Sequence, residues 1–180
     1  MTDQFGVIRQ VAYVVEDMDQ ALKYWIDFLG AGPFYMFEHS QMDDQKYRGG
    51  DSQVDVSLAV GNSGDVQIEL IYCENEAASV YKEFIDAGRV GVHHVGLMPE
   101  NYLEACQEYE SMGFDRAFEC KISGTSLVYF DTVQATGHFT ELWERSDAFI
   151  DFMNFVREAP LVGTEAVSYT HLTLPTKRIV

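Results

Sequence analysis

Four residues with metal-binding side chains occur at positions that are related by an internal repeat. His94 occupies the position in the second half that Gln10 occupies in the first, and Glu141 likewise corresponds to Glu69. One imidazole nitrogen, one amide oxygen and two carboxylates form a mostly oxygen donor set that suits zinc, nickel, cobalt, manganese or magnesium. Four protein donors on a six-coordinate ion leave two adjacent positions open, where a substrate with two neighbouring oxygens could chelate. Such an ion would stabilise an enolate as charge develops on oxygen, and a nearby carboxylate could move the proton.

Each of the four residues also has a purely structural explanation. Gln10 could be a hydrogen-bonding residue at the start of a strand, and Glu69 and Glu141 could be edge-strand charges that face water. His94 could be a core histidine, which would leave His93 as the functional one. Because all four occupy repeat-related positions, we favour the metal site. Adjacent strand residues face opposite sides of a sheet, so His93 is predicted to point away from His94, towards the helix layer.

The repeat also predicts the elements that must position these side chains. In the first half the pattern predicts a strand at 8–15, a helix capped by Asp17 and ended at Gly30, and strands at 34–37, 54–60 and 66–72. The second half predicts the same order, with a strand at 91–97, a helix capped by Asn101 and ended at Gly113, and strands at 118–122, 127–131 and 138–144. Asn101 follows Asp17 at the same offset at which His94 follows Gln10.

These elements predict an α+β fold in a single domain, residues 1–166. Two repeated βαβββ modules, 6–75 and 90–145, are expected to form a curved mixed-sheet cup around a central site, followed by a C-terminal helix at 147–158. The segment 79–87 is predicted to be a short helix that links the halves. The tail, 167–180, lacks periodicity and acidic residues and resembles translated adapter sequence, so it is predicted to be non-native or disordered.

The polar segment 39–52 contains Gly49 and Gly50 and is predicted to be a long loop that the second half lacks. Its Lys46 and Arg48 stand out in an acidic chain. They are either two solvated charges or part of a lid that contacts an anionic group on a substrate.

Composition narrows the classes of partner. The chain has 180 residues, a hydrophobic fraction of 47% and a formal net charge of −17. Because phosphate binding requires a basic face, the charge argues against nucleic acid and against an anionic membrane surface. No apolar run approaches the ~20 residues of a membrane span, and no signal segment is evident, so a cytoplasmic protein is expected. The three cysteines show no zinc-binding spacing, and exposed sheet edges make a homodimer plausible.

The segments 10–17, 67–70, 91–95 and 140–142 resemble the vicinal oxygen chelate superfamily, which includes glyoxalase I and methylmalonyl-CoA epimerase, over about residues 6–160. The resemblance implies paired βαβββ modules with a metal ion at the centre of the cup. It implies that Gln10, Glu69, His94 and Glu141 are the metal ligands, and that Glu141 is the catalytic base. The chain departs from the family in lacking a basic cluster for coenzyme A phosphates and an arginine pair for glutathione, although Arg9 is a possible anion contact.

We therefore expect a metal-dependent, glyoxalase- or epimerase-like lyase or isomerase that transfers a proton next to a carbonyl of a small-molecule substrate with adjacent oxygens. One alternative is an iron-dependent ring-cleaving dioxygenase on the same fold. Gln10 and Glu69 argue against it, because such enzymes use two histidines and one carboxylate. The other alternative is a non-catalytic, resistance-type binding module, whose cup would be lined by aromatic residues such as Tyr13, Tyr129, Phe139 and Trp143 and would lack the ligand set.

Overall fold

One curled, mixed β-sheet forms the centre of the molecule. The structure, a computed structural model, describes residues 5–158 and the backbone of residues 169–171. The strands in this part of the chain are β1 (Ile8–Val14), β2 (Phe34–Phe37), β3 (Asp43–Tyr47), β4 (Gly50–Asp51), β5 (Val56–Ser63), β6 (Val66–Cys73), β7 (Val92–Leu97), β8 (Arg116–Ile122), β9 (Thr125–Phe130), β10 (Phe139–Trp143) and β11 (Tyr169–His171). Their order across the sheet is β11-β2-β5-β6-β1-β7-β10-β9-β8-β3-β4.

Five helices accompany the sheet in the described residues. They are α1 (Met18–Lys23), which continues as a π-helical turn at Tyr24–Phe28, α2 (Val80–Asp86), α3 (Tyr102–Ser111), α4 (Val133–Thr136) and α5 (Asp147–Glu158). None of them is both long and apolar enough to span a membrane.

The sheet consists of two halves with the same strand arrangement. β1 is parallel to β6 in the first half, as β7 is parallel to β10 in the second. The other strand pairs within each βαβββ module are antiparallel, and β1 and β7 pair antiparallel where the modules meet. β11, which follows both modules in the chain, pairs parallel with β2. The predicted α+β fold of two βαβββ modules is therefore confirmed. The domain boundaries and the nature of the tail, of which only residues 169–171 are described, stay predictions.

The predicted helix caps are also confirmed. The Asp17 side chain accepts a hydrogen bond from the backbone N–H of Gln20 at 2.9 Å, and Asn101 accepts one from Glu104 at 3.3 Å. α1 and α3 cover the convex face of the sheet, because Leu22 of α1 packs with the strand residues that point away from the site, and Cys106 of α3 does the same in the second half.

The concave face is filled by α2 and α5. Val80 and Tyr81 of α2 belong to the same buried cluster as Ala12 and Ile71, which face the inside of the cup. Phe152 of α5 packs on the inward residues of β2 and β5. The site at the centre of the cup is therefore covered from two sides, by helices whose place on the sheet the sequence did not predict.

The segment 39–52 is not the long loop that its composition predicted, because it contains the β3–β4 hairpin. β3 pairs with β8, with Lys46 opposite Glu119 and Tyr47 opposite Phe118, so an insertion in the first half extends the outer edge of the second. The prediction failed because an edge strand needs no alternation of apolar residues and is commonly charged. Lys121 of β8 supports the pairing through an ion pair with Asp44 at 2.7 Å.

Arg48 fastens this hairpin to the body of the protein. Its guanidinium lies 2.8 Å from a carboxylate oxygen of Glu83 in α2 and 2.8 Å from one of Asp131, which follows β9. Tyr47 also donates a hydrogen bond to Glu83, at 2.7 Å. Arg48 thus binds carboxylates of the protein itself, which argues against its predicted role as a lid contact for a substrate anion.

Candidate metal centre

The four predicted ligands lie on the four central strands of the sheet. β6, β1, β7 and β10 are neighbours in that order, and they carry Glu69, Gln10, His94 and Glu141 respectively. All four side chains point into the cup and are buried, with residue exposures of 8% for Glu69, 4% for Gln10, 0% for His94 and 2% for Glu141. Each half of the protein contributes two of them.

His94 is the centre of this group. Its Nε2 atom lies 3.1 Å from Oε1 of Gln10, 3.2 Å from Oε2 of Glu141 and 3.4 Å from Oε2 of Glu69. The structure therefore brings together all four residues that the sequence singled out. Their role as metal ligands stays a prediction.

A glycine on β7 allows this close packing. Gly96 lies directly opposite Gln10 on the neighbouring strand. A Cβ atom at Gly96 would collide with the indole ring of Trp143 and would lie 3.2 Å from the Cβ of Gln10. Any larger residue at this position would therefore displace a candidate ligand or the tryptophan beside it.

As placed, no three His, Cys, Asp or Glu side chains of residues 5–158 form a ready-made ion site. The spacing of the donors is nevertheless suitable. Ligands about 2.1 Å from an ion are separated from each other by about 3.0 Å in octahedral and about 3.4 Å in tetrahedral coordination, and the three distances from His94 Nε2 fall in this range. Binding an ion would require the carboxylates to turn towards it.

The hydrogen bonds of His93 define the tautomer of His94. The backbone oxygen of Val80 can only accept, so His93 Nε2 donates to it across 3.3 Å. Burial lowers the pKa of His93 well below its ordinary value, and the neighbouring His94 ring lowers it further, so His93 is neutral and its Nδ1 has no proton. His94 Nδ1, which is 2.9 Å from His93 Nδ1, must then be the donor.

This tautomer leaves the lone pair of His94 Nε2 facing three oxygen atoms that are themselves acceptors. Such a cluster is unfavourable unless a proton or a cation lies between the atoms. The donor types and the tautomer therefore fit a divalent cation, for which Gln10, Glu69, His94 and Glu141 are the available ligands. A partner that fixes the tautomer of a histidine from behind, as His93 does here, is typical of metal sites.

The position of His93 corrects a prediction. Its ring packs against Tyr81 and Phe84 of α2 and against Phe139, at centroid distances of 5.0, 5.1 and 5.2 Å, so it lies on the same side of the sheet as His94. The reason is an irregularity in the pairing of β1 with β7, where the register shifts between Ala12 and Tyr13. Strict alternation of faces fails at such a bulge.

Gln67 is a further residue of the site that the sequence analysis missed. Its Oε1 accepts a buried hydrogen bond of 2.7 Å from Nε2 of Gln10. Because the Gln10 amide is held by its nitrogen, its oxygen is directed towards His94. Gln67 pairs with Gln10 across β6 and β1 and lies two residues before Glu69 on the same face, and this spacing was the signal that could have identified it.

Burial also determines the protonation of the carboxylates. Removal from water raises the pKa of Glu69 well above its ordinary value; the nearby His94 opposes the shift and Glu141 adds to it. Glu69 can therefore hold a proton at a higher pH than an exposed glutamate, and in the metal-free protein this proton can lie between Glu69 and His94 Nε2.

Comparisons with known proteins are consistent with this fold. The family model described as the Glyoxalase/Bleomycin resistance protein/Dioxygenase superfamily matches residues 9–128. The match includes Gln10, Glu69 and His94 and ends before Glu141 and α5. The comparison with curated proteins found no match.

Three solved structures illustrate the similarity of fold. Methylmalonyl-CoA epimerase from Mycobacterium tuberculosis has a TM-score of 0.57 and 18% identity, and the alignment covers 84% of this chain and 95% of that one. A hypothetical protein from Bacillus halodurans C-125 has a TM-score of 0.54 and 18% identity, with coverages of 78% and 95%. A Streptomyces coelicolor methylmalonyl-CoA epimerase variant in complex with 2-nitronate-propionyl-CoA has a TM-score of 0.51 and 16% identity, with coverages of 79% and 96%. At these identities the similarity shows a common fold alone.

Proposed function

Because the chain belongs to the glyoxalase/bleomycin resistance protein/dioxygenase superfamily, also called the vicinal oxygen chelate superfamily, we propose that it is a metal-dependent isomerase or lyase that transfers a proton next to a carbonyl group. The single observation that carries this proposal is the convergence of three oxygens on His94 Nε2 at 3.1 to 3.4 Å in a buried position.

The chemistry follows from the donor set. A divalent ion such as zinc, nickel, cobalt or manganese would supply Lewis-acid stabilisation of the negative charge that develops on a substrate oxygen. His94 and Gln10 would be the neutral ligands, and each is oriented by a buried hydrogen bond, with His93 and Gln67 respectively. The carboxylates Glu69 and Glu141 would offset the charge of the ion.

We assign the proton transfer to Glu141, because it resembles the final glutamate that acts as the base in glyoxalase I. Glu69 is the candidate partner, because it is the second buried carboxyl group of the site and could return a proton. Two carboxylates with different environments in one site would provide an acid and a base for removal and return of a proton at one carbon. α2 and α5, which cover the cup, would exclude water from this exchange.

The proposal is tested first by metal content. Protein purified without chelators is expected to contain about one divalent ion per chain, and His94→Ala is expected to lose it. His39→Ala is the matched control, because His39 is an exposed histidine that pairs only with Asp55. If the wild type takes up no ion on titration, the proposal is wrong. If the only ion bound is iron and oxygen is consumed, the dioxygenase alternative replaces it.

The second test is exchange of a carbon-bound proton with solvent. Methylmalonyl-CoA is a suitable first compound, because similar solved structures carry its epimerase name. Incubation in D2O with mass spectrometry of the recovered thioester reports exchange directly. Glu141→Gln is expected to lower the exchange rate about 10²- to 10⁴-fold while the fold is kept. A variant that exchanges at the wild-type rate would refute the assignment of the base, and Glu69→Gln would then be compared in the same assay.

A further inference from the structure

A pocket of about 240 Å³ lies between α5 and the rim of the cup. Its rim side is formed by Arg9 on β1, Asn62 near the β5–β6 turn, Met98 just after β7 and Arg145 just after β10. Its other side is α5, which begins at Asp147, well beyond residue 128, where the family match ends. The pocket is therefore built in part by an element that the family match does not cover.

Arginine dominates the charge of this pocket. Arg9, Arg145 and Arg157 line it, which is three of only 12 lysines and arginines in a chain with a net charge of −17. Among the described residues that line it, Asp65 alone is acidic. A guanidinium group matches the planar geometry of a carboxylate or phosphate with two parallel donors, so this concentration of arginine favours an oxyanion.

These arginines are available to a ligand. The Arg9 side chain has no hydrogen bond or ion pair with any residue of the described chain. Arg145 pairs with Glu100 at 3.2 Å, and Arg157 donates to Asn154 at 3.0 Å and pairs with Glu158 at 3.5 Å. The side chains of Glu100 and Glu158 are 83% and 71% exposed. Exposed pairs of this kind are worth little, so a bound anion would displace them readily.

The remaining lining gives the pocket a polar and an apolar part. The side-chain oxygen of Asn62 is buried and has no hydrogen-bond partner among the described residues, so it could accept a bond from a ligand hydroxyl, amide or water. Met98, Ile150 and Met153 form an apolar wall. The lining thus suits a molecule that has a negatively charged group on a carbon chain rather than a bare inorganic ion.

The pocket is placed next to the candidate metal centre. Arg9 is adjacent in sequence to Gln10, and Met98 and Arg145 follow His94 and Glu141 by four residues each, just past the ends of β7 and β10. Four residues of extended chain span at most about 13 Å, so this wall of the pocket lies within about that distance of the ligands. A substrate several bonds long could have its charged group here and its reacting carbonyl at the centre of the cup.

We propose that this pocket is the subsite for the anionic end of the substrate, and that the substrate is an organic acid or phosphate whose charge is separated from the reacting carbonyl. The proposal rests on the proposed function for one point, that the substrate also has a carbonyl group that reacts at the centre of the cup. The anion subsite itself requires no metal ion.

Calorimetric titration of the metal-free protein with glutarate, at fixed ionic strength, tests the proposal. Without metal, the probe cannot bind by chelation at the centre, so the measurement reports the pocket. Arg9→Gln is expected to weaken glutarate binding about 10-fold, and the double variant Arg9→Gln/Arg145→Gln is expected to weaken it about 100-fold. Lys23→Gln, which removes an exposed positive charge from α1 on the opposite side of the sheet, is expected to bind as the wild type does.

The outcomes separate this proposal from the proposed function. Equal affinities in all four proteins, equal losses in Arg9→Gln and Lys23→Gln, or no binding to the wild type would each overturn the anion subsite. Glutarate binding that depends on Arg9 in a protein that takes up no metal would support the subsite and refute the metal-dependent function. Metal uptake without glutarate binding would support the metal-dependent function and refute the anion subsite.

Discussion

Replacing Gln67 by leucine should separate metal affinity from stability. In the wild type, Gln67 Oε1 accepts the 2.7 Å bond from Gln10, whereas Gln67 Nε2 is buried with no partner among the described residues. Gln67→Leu removes this unsatisfied donor, which should raise the free energy of unfolding by about 1–3 kcal/mol. The substitution also leaves Gln10 Nε2 without an acceptor, which should lower the free energy of unfolding by a similar amount. The two effects nearly cancel, so the free energy of unfolding of the metal-free protein should change by less than about 1 kcal/mol.

Metal affinity should respond differently. Without the acceptor on Gln67, the Gln10 amide can rotate and present its nitrogen, which is no ligand, to the centre of the cup. Loss of a hydrogen-bond partner that orients a ligand in this way typically lowers metal affinity about 10- to 100-fold. Competition with a chromogenic chelator would measure the affinity, and urea unfolding of the metal-free protein would measure the stability.

Gln67→Glu is the rescue control for this experiment. Glutamate keeps an acceptor for Gln10 Nε2, so its metal affinity should equal or exceed that of the wild type. The reasoning would be refuted if Gln67→Leu bound metal as tightly as the wild type. It would also be refuted if Gln67→Leu unfolded several kcal/mol more easily without metal, because Gln67 would then be a structural residue.

Three further predictions follow from the same contacts. His93→Phe keeps the ring packing but removes the acceptor for His94 Nδ1, so metal affinity should fall about 10- to 100-fold, measured by calorimetry. Because the folded state raises the pKa of Glu69 above 4.5, its proton contributes stability that is complete below pH 4.5 and is lost as pH rises through the folded pKa. The lowered pKa of His93 gives a slope of the opposite sign over part of this range, so the measurement compares the wild type with Glu69→Gln, both without metal. The difference in their free energies of unfolding in urea, wild type minus variant, should fall from acid towards neutral pH. Arg48→Gln should release the hairpin from Glu83, destabilising the protein by about 1 kcal/mol and speeding hydrogen exchange in residues 43–51.

Each of these predictions has its own control. His39→Phe changes an exposed histidine and should bind metal normally, so an equal loss in both variants would contradict the role of His93. A difference between the wild type and Glu69→Gln that does not change with pH would contradict the role of Glu69. Lys121→Gln breaks a single exposed ion pair and should change stability less than Arg48→Gln; the opposite order would contradict the fastening role of Arg48.

The sequence predicted what depends on the repeat. Gln10 and His94 are separated by the same offset as Asp17 and Asn101. This offset identified the first strand of each half, both helix caps, and the two candidate ligands Gln10 and His94. Local pattern could not predict features that depend on pairing between distant segments. The β3–β4 hairpin has the composition of a loop and becomes a strand only because β8 offers it an unpaired edge.

The roles of the residues that surround the candidate ligands could not be predicted either, because they also depend on contacts between distant segments. The orientation of His93 depends on a register shift opposite Ala12 and Tyr13, which no single strand records in its own sequence. Gln67 looks like an ordinary polar residue until β6 is placed beside β1. The covering of the cup by α5 follows from tertiary packing of Phe152 on β2 and β5, and an amphipathic helix alone does not reveal which face of a sheet it will cover.

The distribution of the ligands over both halves has a consequence for symmetry. Gln10 and His94 occupy equivalent positions in the two halves, as do Glu69 and Glu141. In a dimer of two identical modules, the two residues of each pair would have to be the same type. Both faces of a bound molecule would then contact the same side chains. Joining the modules in one chain removes that constraint, so an amide can stand where its counterpart is an imidazole. The two glutamates can then have different environments, and a planar intermediate between them would meet a different carboxyl group on each face.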